Sequence, residues 1–197
     1  MPKDTFYNLS DEKKQRIFDA AVQEFSTRRF SEASINKIVK AAGIPWGSFY
    51  QYFNNKEDLY QYMFERIGEE KKEIVRDSKT IDLEADFFAI CIQSTIATFE
   101  WVRHNPEYMR ISILMEIDDS EFISSLRKSI IQILGRYIER DKQRGLIKPE
   151  IDSNLVADMV YTLIWKQASM LMSDEEMFFK KLSEGIKIVR EGITNPK

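Results

Sequence analysis

The 197-residue sequence predicts an all-α fold of about nine helices, an N-terminal three-helix head followed by a larger helical domain. Three observations carry that prediction. Apolar residues recur at i, i+3, i+4 and i+7 along most of the chain, the spacing that lines one face of a helix. No run alternates convincingly in the manner of a strand. Seven Gly and five Pro are too few to turn the chain repeatedly in a sandwich or barrel.

The elements follow in order. Ser10 caps a first helix whose Ile17, Ala20, Ala21 and Phe25 share a face. Ser34 caps a second, with Ile35, Ile38, Val39 and Ala42 at i, i+3, i+4 and i+7. Gly43 stops it, since glycine takes the left-handed conformation at no steric cost. Pro45 opens a short third helix through Phe53. Asn55 caps a fourth that reaches about Val75. Residues 83–102 are apolar on nearly every face, which predicts a buried helix with Cys91 as a small core hydrophobe. Asn105-Pro106 ends it, and a short segment, 107–117, follows. A long helix from about Ser120 stops at Gly145, another spans about 154–172, and Asp174 opens the last.

Composition bounds the function. Hydrophobic residues at 43% and charged residues at 31% describe a folded, globular chain rather than a disordered one. A single Cys leaves no internal disulfide and points to a reducing compartment; a single His excludes any site that needs two. The first ten residues lack the apolar run of a signal peptide, and no stretch is apolar for long enough to span a bilayer, so the expected location is the cytoplasm, with no membrane partner. Residues 1–56 carry nine basic and six acidic side chains within a chain of net charge −3, so a basic head precedes an acidic body. Such a head suits a polyanionic partner.

Ala41-Ala42-Gly43-Ile44-Pro45 joins two short helices with small residues at the crossing and a glycine at the turn. By spacing alone this is either a plain helix corner or a unit whose second helix enters the DNA major groove. The stretch 34–59 then resembles the DNA-binding head of the TetR (tetracycline-repressor-like) family of bacterial transcription regulators. The resemblance lies in Ile38, Ala41, Ala42, Gly43, Gly47, Ser48, Tyr50, Phe53, Lys56 and Leu59, with Ile17 to Ala21 and Phe25 matching its first helix. It covers about the first 65 residues. It implies a helix-turn-helix DNA-binding domain over 1–56 and an effector-binding and dimerisation domain over 57–197.

Residue roles follow from that resemblance together with chemistry. Ser34 caps its helix or meets a phosphate, and Lys37 adds positive charge beside it. Gly47 lets the recognition helix approach the sugar–phosphate wall, and Ser48 and Tyr50 offer hydroxyls. Gln51 can be bidentate to adenine, and Tyr52 sits where the family reads base or backbone. Lys56 is expected on a phosphate at a helix N-terminus. Many relatives carry Lys or Arg where Trp46 stands, so 45–53 holds no charge; Trp46 either contacts thymine methyls or deoxyribose, or packs half-exposed. Phe49 and Phe53 read as core.

The resemblance further implies a homodimer that binds a near-palindromic operator in double-stranded DNA, most often as a repressor, and releases it when a small apolar effector binds. The expected ligand pocket comprises Phe87, Cys91, Phe99, Met109, Met115, Tyr137 and Trp165; no cofactor or metal is implied. The expected dimer interface uses Leu155, Met159, Leu163 and Leu171 with Phe178, Leu182 and Ile186, on the last two long helices. Two alternatives stand beside this reading: a DNA binder of the same kind without a small-molecule effector, and an all-α small-molecule enzyme. The second has against it the absence of paired His, of a Cys–His pair and of a glycine-rich phosphate loop.

Overall fold

A computed structural model describes residues 1–171 and 173–194, with the side chain of Leu171 outside that description. Among the described residues there are ten α-helices and one 3-10 turn. They are α1 (Asp4–Tyr7), α2 (Asp11–Phe25), the 3-10 turn Phe30–Glu32, α3 (Ile35–Ala41), α4 (Trp46–Tyr52), α5 (Lys56–Asp77), α6 (Phe87–His104), α7 (Pro106–Glu116), α8 (Glu121–Gln143), α9 (Ser153–Leu171) and α10 (Glu175–Ile193). Among these residues no helix is long and apolar enough to cross a membrane. The chain divides into two compact units, Met1–Glu73 with His104–Ser124, and Ile74–Arg103 with Ser125–Lys197.

In the first unit the cap signals of the sequence are realised. Ser10 accepts from the Lys13 N–H, and Asn55 accepts from the Asp58 N–H at 2.9 Å. The core joins Ile17, Phe18, Ala21 and Phe25 of α2 to Ile38, Phe49, Phe53, Leu59 and Met63, all buried. Helix α1 departs from the sequence reading, which had no element before Ser10. Four residues are too few to show a helical period; Phe6, buried against Tyr52, Phe53 and Tyr62, holds the turn in place.

In the second unit α9 and α10 pack along their length, and Leu163 lies so close to Gly185 that an added Cβ there would meet its Cδ2 at 2.7 Å. At the end of α8 the Leu146 N–H bonds the Asp141 carbonyl at 2.9 Å and the Gly145 N–H bonds Lys142 at 2.9 Å. Gly145 sits at φ +71°, so this is the left-handed helix stop that favours glycine.

Helix α6 starts at Phe87 rather than at 83. The carbonyls of Leu83, Glu84 and Ala85 are drawn out of the helix by the guanidinium groups of Arg140 and Arg144, and Asp86 caps the Ala89 N–H at 2.9 Å. The expectation of a fully buried helix is also corrected. Phe87, Phe88, Thr98 and Phe99 are buried, but Ile96 is exposed and Cys91 half-buried. Within the unit the helix is anchored near its two ends: the Phe87 N–H donates to Asp141, and Phe99 stacks on Phe178 with ring centroids 5.5 Å apart. The stretch between keeps one side partly open.

Candidate nucleic-acid interface

Helices α3 and α4 meet through a turn that the sequence specifies atom by atom. The Gly43 N–H bonds the Lys40 carbonyl at 3.2 Å and the Ile44 N–H bonds Val39 at 3.2 Å. This pattern closes a helix on a left-handed residue, and Gly43 has φ +64°. Ile44 and Val39 are both buried, so apolar burial holds both sides of the turn as well. Helix α4 then leaves α3 with Phe49 and Tyr52 facing the core and Trp46, Gly47, Tyr50 and Gln51 exposed; Ser48 is half-buried.

The outward face of α4 carries no charge. Trp46 is 44% and Tyr50 46% exposed, one helical turn apart, with edge-to-face rings whose centroids are 5.7 Å apart. The two rings therefore make one continuous apolar ridge with a phenol hydroxyl, and Gln51 lies beside it. Lys37 and Lys40 are exposed on α3. The geometry offers uncharged groups for base edges and ammonium groups next to them for phosphates.

Other candidate residues have structural partners. Ser34 makes no side-chain cap; its backbone N–H donates to Glu24 Oε1 at 2.9 Å, a bond that ties the start of α3 to α2. Tyr52 is buried, its hydroxyl accepting from Lys13 Nζ at 3.1 Å. Lys56 Nζ donates to the carbonyls of Ala33 at 3.0 Å and Ser31 at 3.4 Å and lies 4.6 Å from the centre of the Phe30 ring.

Two supports of this surface were missed by sequence reading. The first is the segment before α2. The last carbonyls of a helix lack partners within it. Here Lys3 Nζ donates to Tyr50 at 2.8 Å, Thr5 Oγ1 to Gln51, and the Lys3 N–H to Tyr52 at 2.8 Å. The only hint in the sequence is an aromatic pair, Phe6-Tyr7, ahead of the Ser10 cap. The second is Asp118. It is fully buried; its Oδ2 accepts the Ser31 N–H at 2.8 Å and Oγ–H at 2.9 Å, and its Oδ1 the Ser120 N–H at 2.9 Å. Burial alone would push the Asp118 carboxyl up, but hydrogen bonds from Ser120 and Ser31 outweigh it and hold it at about 2.

A folded pKa below the ordinary 3.8 means that this carboxylate contributes stability above about pH 4 and loses it as the pH falls through about 2. The shift corresponds to about 2 kcal/mol. Urea unfolding from pH 5 downward is expected to show an acid-dependent loss of that size that is missing in Asp118→Asn. Parallel acid profiles for the two proteins would contradict it.

The candidate ligand residues fall in both units. Met115 is buried and Met109 half-buried on α7 in the first. Phe87, Cys91 and Phe99 lie on α6, Tyr137 on α8 and Trp165 on α9 in the second; Phe87 and Phe99 are buried, Tyr137 is exposed, and Trp165 meets the Tyr161 ring edge-on. Two adjoining grooves of the second unit, of about 980 and 260 Å³, share Phe88, Lys187 and Arg190, and none of the seven residues lines them.

The candidate dimer residues also divide. Leu155 is 57% and Met159 48% exposed on successive turns of α9, with Leu163 half-buried one turn further. Phe178, Leu182 and Ile186 are buried within the chain, so that stripe of α10 serves its own unit. The side chain of Leu171 lies outside the described part.

Comparison with known proteins gives these features a context. The family described as bacterial regulatory proteins, tetR family, matches residues 17–63, which span α2 from Ile17 through α3 and α4 into α5. The fatty acid metabolism regulator protein of Bacillus subtilis is 26% identical over 93% of this chain and 96% of its own length. A TetR family transcriptional regulator from Chloroflexus aurantiacus superposes with a TM-score of 0.68, at 25% identity over the whole of both chains. The transcriptional regulator FadR of Bacillus subtilis, solved in complex with stearoyl-CoA, shares the fold at 21% identity, covering 91% of this chain and 99% of its own, with a TM-score of 0.64.

Proposed function

The chain belongs to the tetR family of bacterial regulatory proteins, and from that premise we propose that it binds a near-palindromic operator as a homodimer, represses from there, and is released by a largely apolar small molecule. It is a transcriptional regulator with a helix-turn-helix DNA-binding head. The observation that carries the finer reading is the uncharged, exposed ridge of α4 flanked by lysines on α3. In this reading residues 1–56 bind DNA and 57–197 serve the effector and the partner subunit, in the cytoplasm.

Trp46, Gly47, Ser48, Tyr50 and Gln51 face bases and deoxyribose, while Ser34, Lys37 and Lys40 face phosphates. Lys56 holds backbone carbonyls of its own head and acts by keeping the 3-10 turn in place, with one N–H left for a phosphate. The exposed Leu155 and Met159, continued by Leu163, support pairing of two copies through α9. For the effector, the similarity to a fatty acid metabolism regulator over nearly the whole chain favours a long-chain acyl compound. Such a ligand would meet Phe87, Cys91 and Phe99 of α6, in the unit that also holds Tyr137 and Trp165.

Selection from random duplexes is the direct test. It is expected to recover two inverted half-sites about one helical turn apart or somewhat more. Lys37→Ala is expected to weaken all sequences alike and flatten the salt dependence by about one unit of slope, whereas Gln51→Ala changes which bases are preferred. Sedimentation should show twice the 23.3 kDa chain mass. Recovery of no palindrome, or a species of 23.3 kDa alone at micromolar concentration, would overturn the dimeric reading.

A further inference from the structure

The 3-10 turn Phe30–Glu32 lies between α2 and α3, and it is gripped from two sides. Asp118, just past the end of α7, takes both donors of Ser31. Lys56, the first residue of α5, takes the carbonyls of Ser31 and Ala33. Beside these bonds Phe30 packs on Phe122, ring centroids 4.8 Å apart. All of these groups belong to the first unit.

A fully buried carboxylate cannot give up its donors without a large desolvation cost, so Ser31 follows Asp118 when the end of α7 moves. Only three residues separate Ser31 from the start of α3, and the hydrogen-bonded turn at Gly43 ties α3 to α4. We infer that Asp118 and Ser31 are positioning residues for the recognition helix, through which the end of α7 sets the placement of α3 and α4 directly, without passing along α5. This rests on the reading above that effector occupancy weakens operator binding. In that reading ligand binding displaces the end of α7, and the clamp carries the displacement to the head. Lys56 keeps the other side of the turn with α5, so relative motion of α7 and α5 is converted into a tilt of α3.

The test compares wild type with Ser31→Ala, Asp118→Asn and, as the conservative control, Ser31→Thr, which keeps the hydroxyl. Without DNA or ligand, amides of α3 are expected to exchange with solvent about tenfold faster in the first two variants, while those of Leu59 to Met63 in α5 stay as in wild type. On the duplex selected by wild type, a one-base-pair insertion between half-sites should cost wild type about tenfold or more in affinity, and the two variants less than about threefold. With stearoyl-CoA as probe, the variants should bind it as wild type does yet keep hold of DNA. Ser31→Thr should behave as wild type throughout. Wild-type α3 exchange together with a wild-type spacing penalty in Asp118→Asn and Ser31→Ala would overturn the inference. Failure of stearoyl-CoA to bind wild type would instead overturn the acyl-ligand reading, and the exchange and spacing measurements would still decide the clamp.

Discussion

Asp141→Ala is expected to lower the unfolding free energy by about 2–3 kcal/mol, the cost of leaving the buried Phe87 N–H unpaired and two part-exposed guanidinium groups without their counter-charge. The Asp141 carboxylate is fully buried between two guanidinium groups, Arg140 Nη2 at 2.9 Å and Arg144 Nη1 at 3.2 Å. It also accepts the Phe87 N–H at 2.6 Å, one of the donors that a helix start leaves unpaired. The same two arginines hold the carbonyls of Leu83, Glu84 and Ala85. One substitution thus strips a cap from α6, sets two cations together without their counter-charge, and frees the segment that leads into the helix. Asp141→Asn keeps an acceptor for Phe87 and is expected to lose less. Urea unfolding of the two variants checks this; equal and small losses would mean that the arginines find water as readily as they find the carboxylate.

The second large effect is expected at Phe6. Replacing a buried phenylalanine by alanine costs about 3–5 kcal/mol through lost transfer energy and the cavity left behind. Phe6 is ringed by Tyr52, Phe53 and Tyr62. Its loss also releases Lys3 and Thr5 from the last carbonyls of α4. Phe6→Ala should therefore destabilise the head and weaken DNA binding together. Thr5→Val, which removes one hydrogen bond and leaves the aromatic contact, should change stability by only about 1 kcal/mol. An unfolding experiment on both, with duplex binding measured on the same samples, separates the two contributions. Full DNA affinity in a folded Phe6→Ala protein would show that α4 holds its end without the segment before α2.

These two sites also mark where the sequence could and could not be read. Gly43 with Val39 and Ile44 is a local pattern: a stop residue and two apolar residues five apart announce the turn of the helix-turn-helix by themselves. The caps at Ser10, Asn55 and Asp174 are equally local, each accepting from an N–H three residues on. Ser34 satisfies the same local rule and does not cap; the bond at this helix start is instead its own N–H on Glu24, ten residues back. Asp118 and Ser31 are 87 residues apart, and Asp141 and Phe87 are 54; nothing in the neighbourhood of either acid distinguishes it from the solvated acids around it. Lys56 looks like a phosphate ligand by its place at a helix start, and only the path of residues 31–33 explains its bonds to carbonyls. Leu182 and Leu155 look alike as apolar residues at helical spacing; one faces its own chain and the other solvent, a difference set by how α9 and α10 cross.

The uncharged ridge of α4 has a consequence for how such a regulator changes its target over generations. Charges near DNA raise affinity for every sequence, so a recognition helix that carried them could not be rewritten without also resetting the general grip on the duplex. Here Lys37 and Lys40 stand on a different helix from Trp46, Tyr50 and Gln51. On the proposed reading, substitutions among the latter three would exchange one base preference for another while the attraction to phosphates stayed the same. On that reading a duplicated gene with this head would drift from one operator to a second through intermediates that keep their hold on DNA, and the duplicate would diverge in what it controls before it diverges in how tightly it binds.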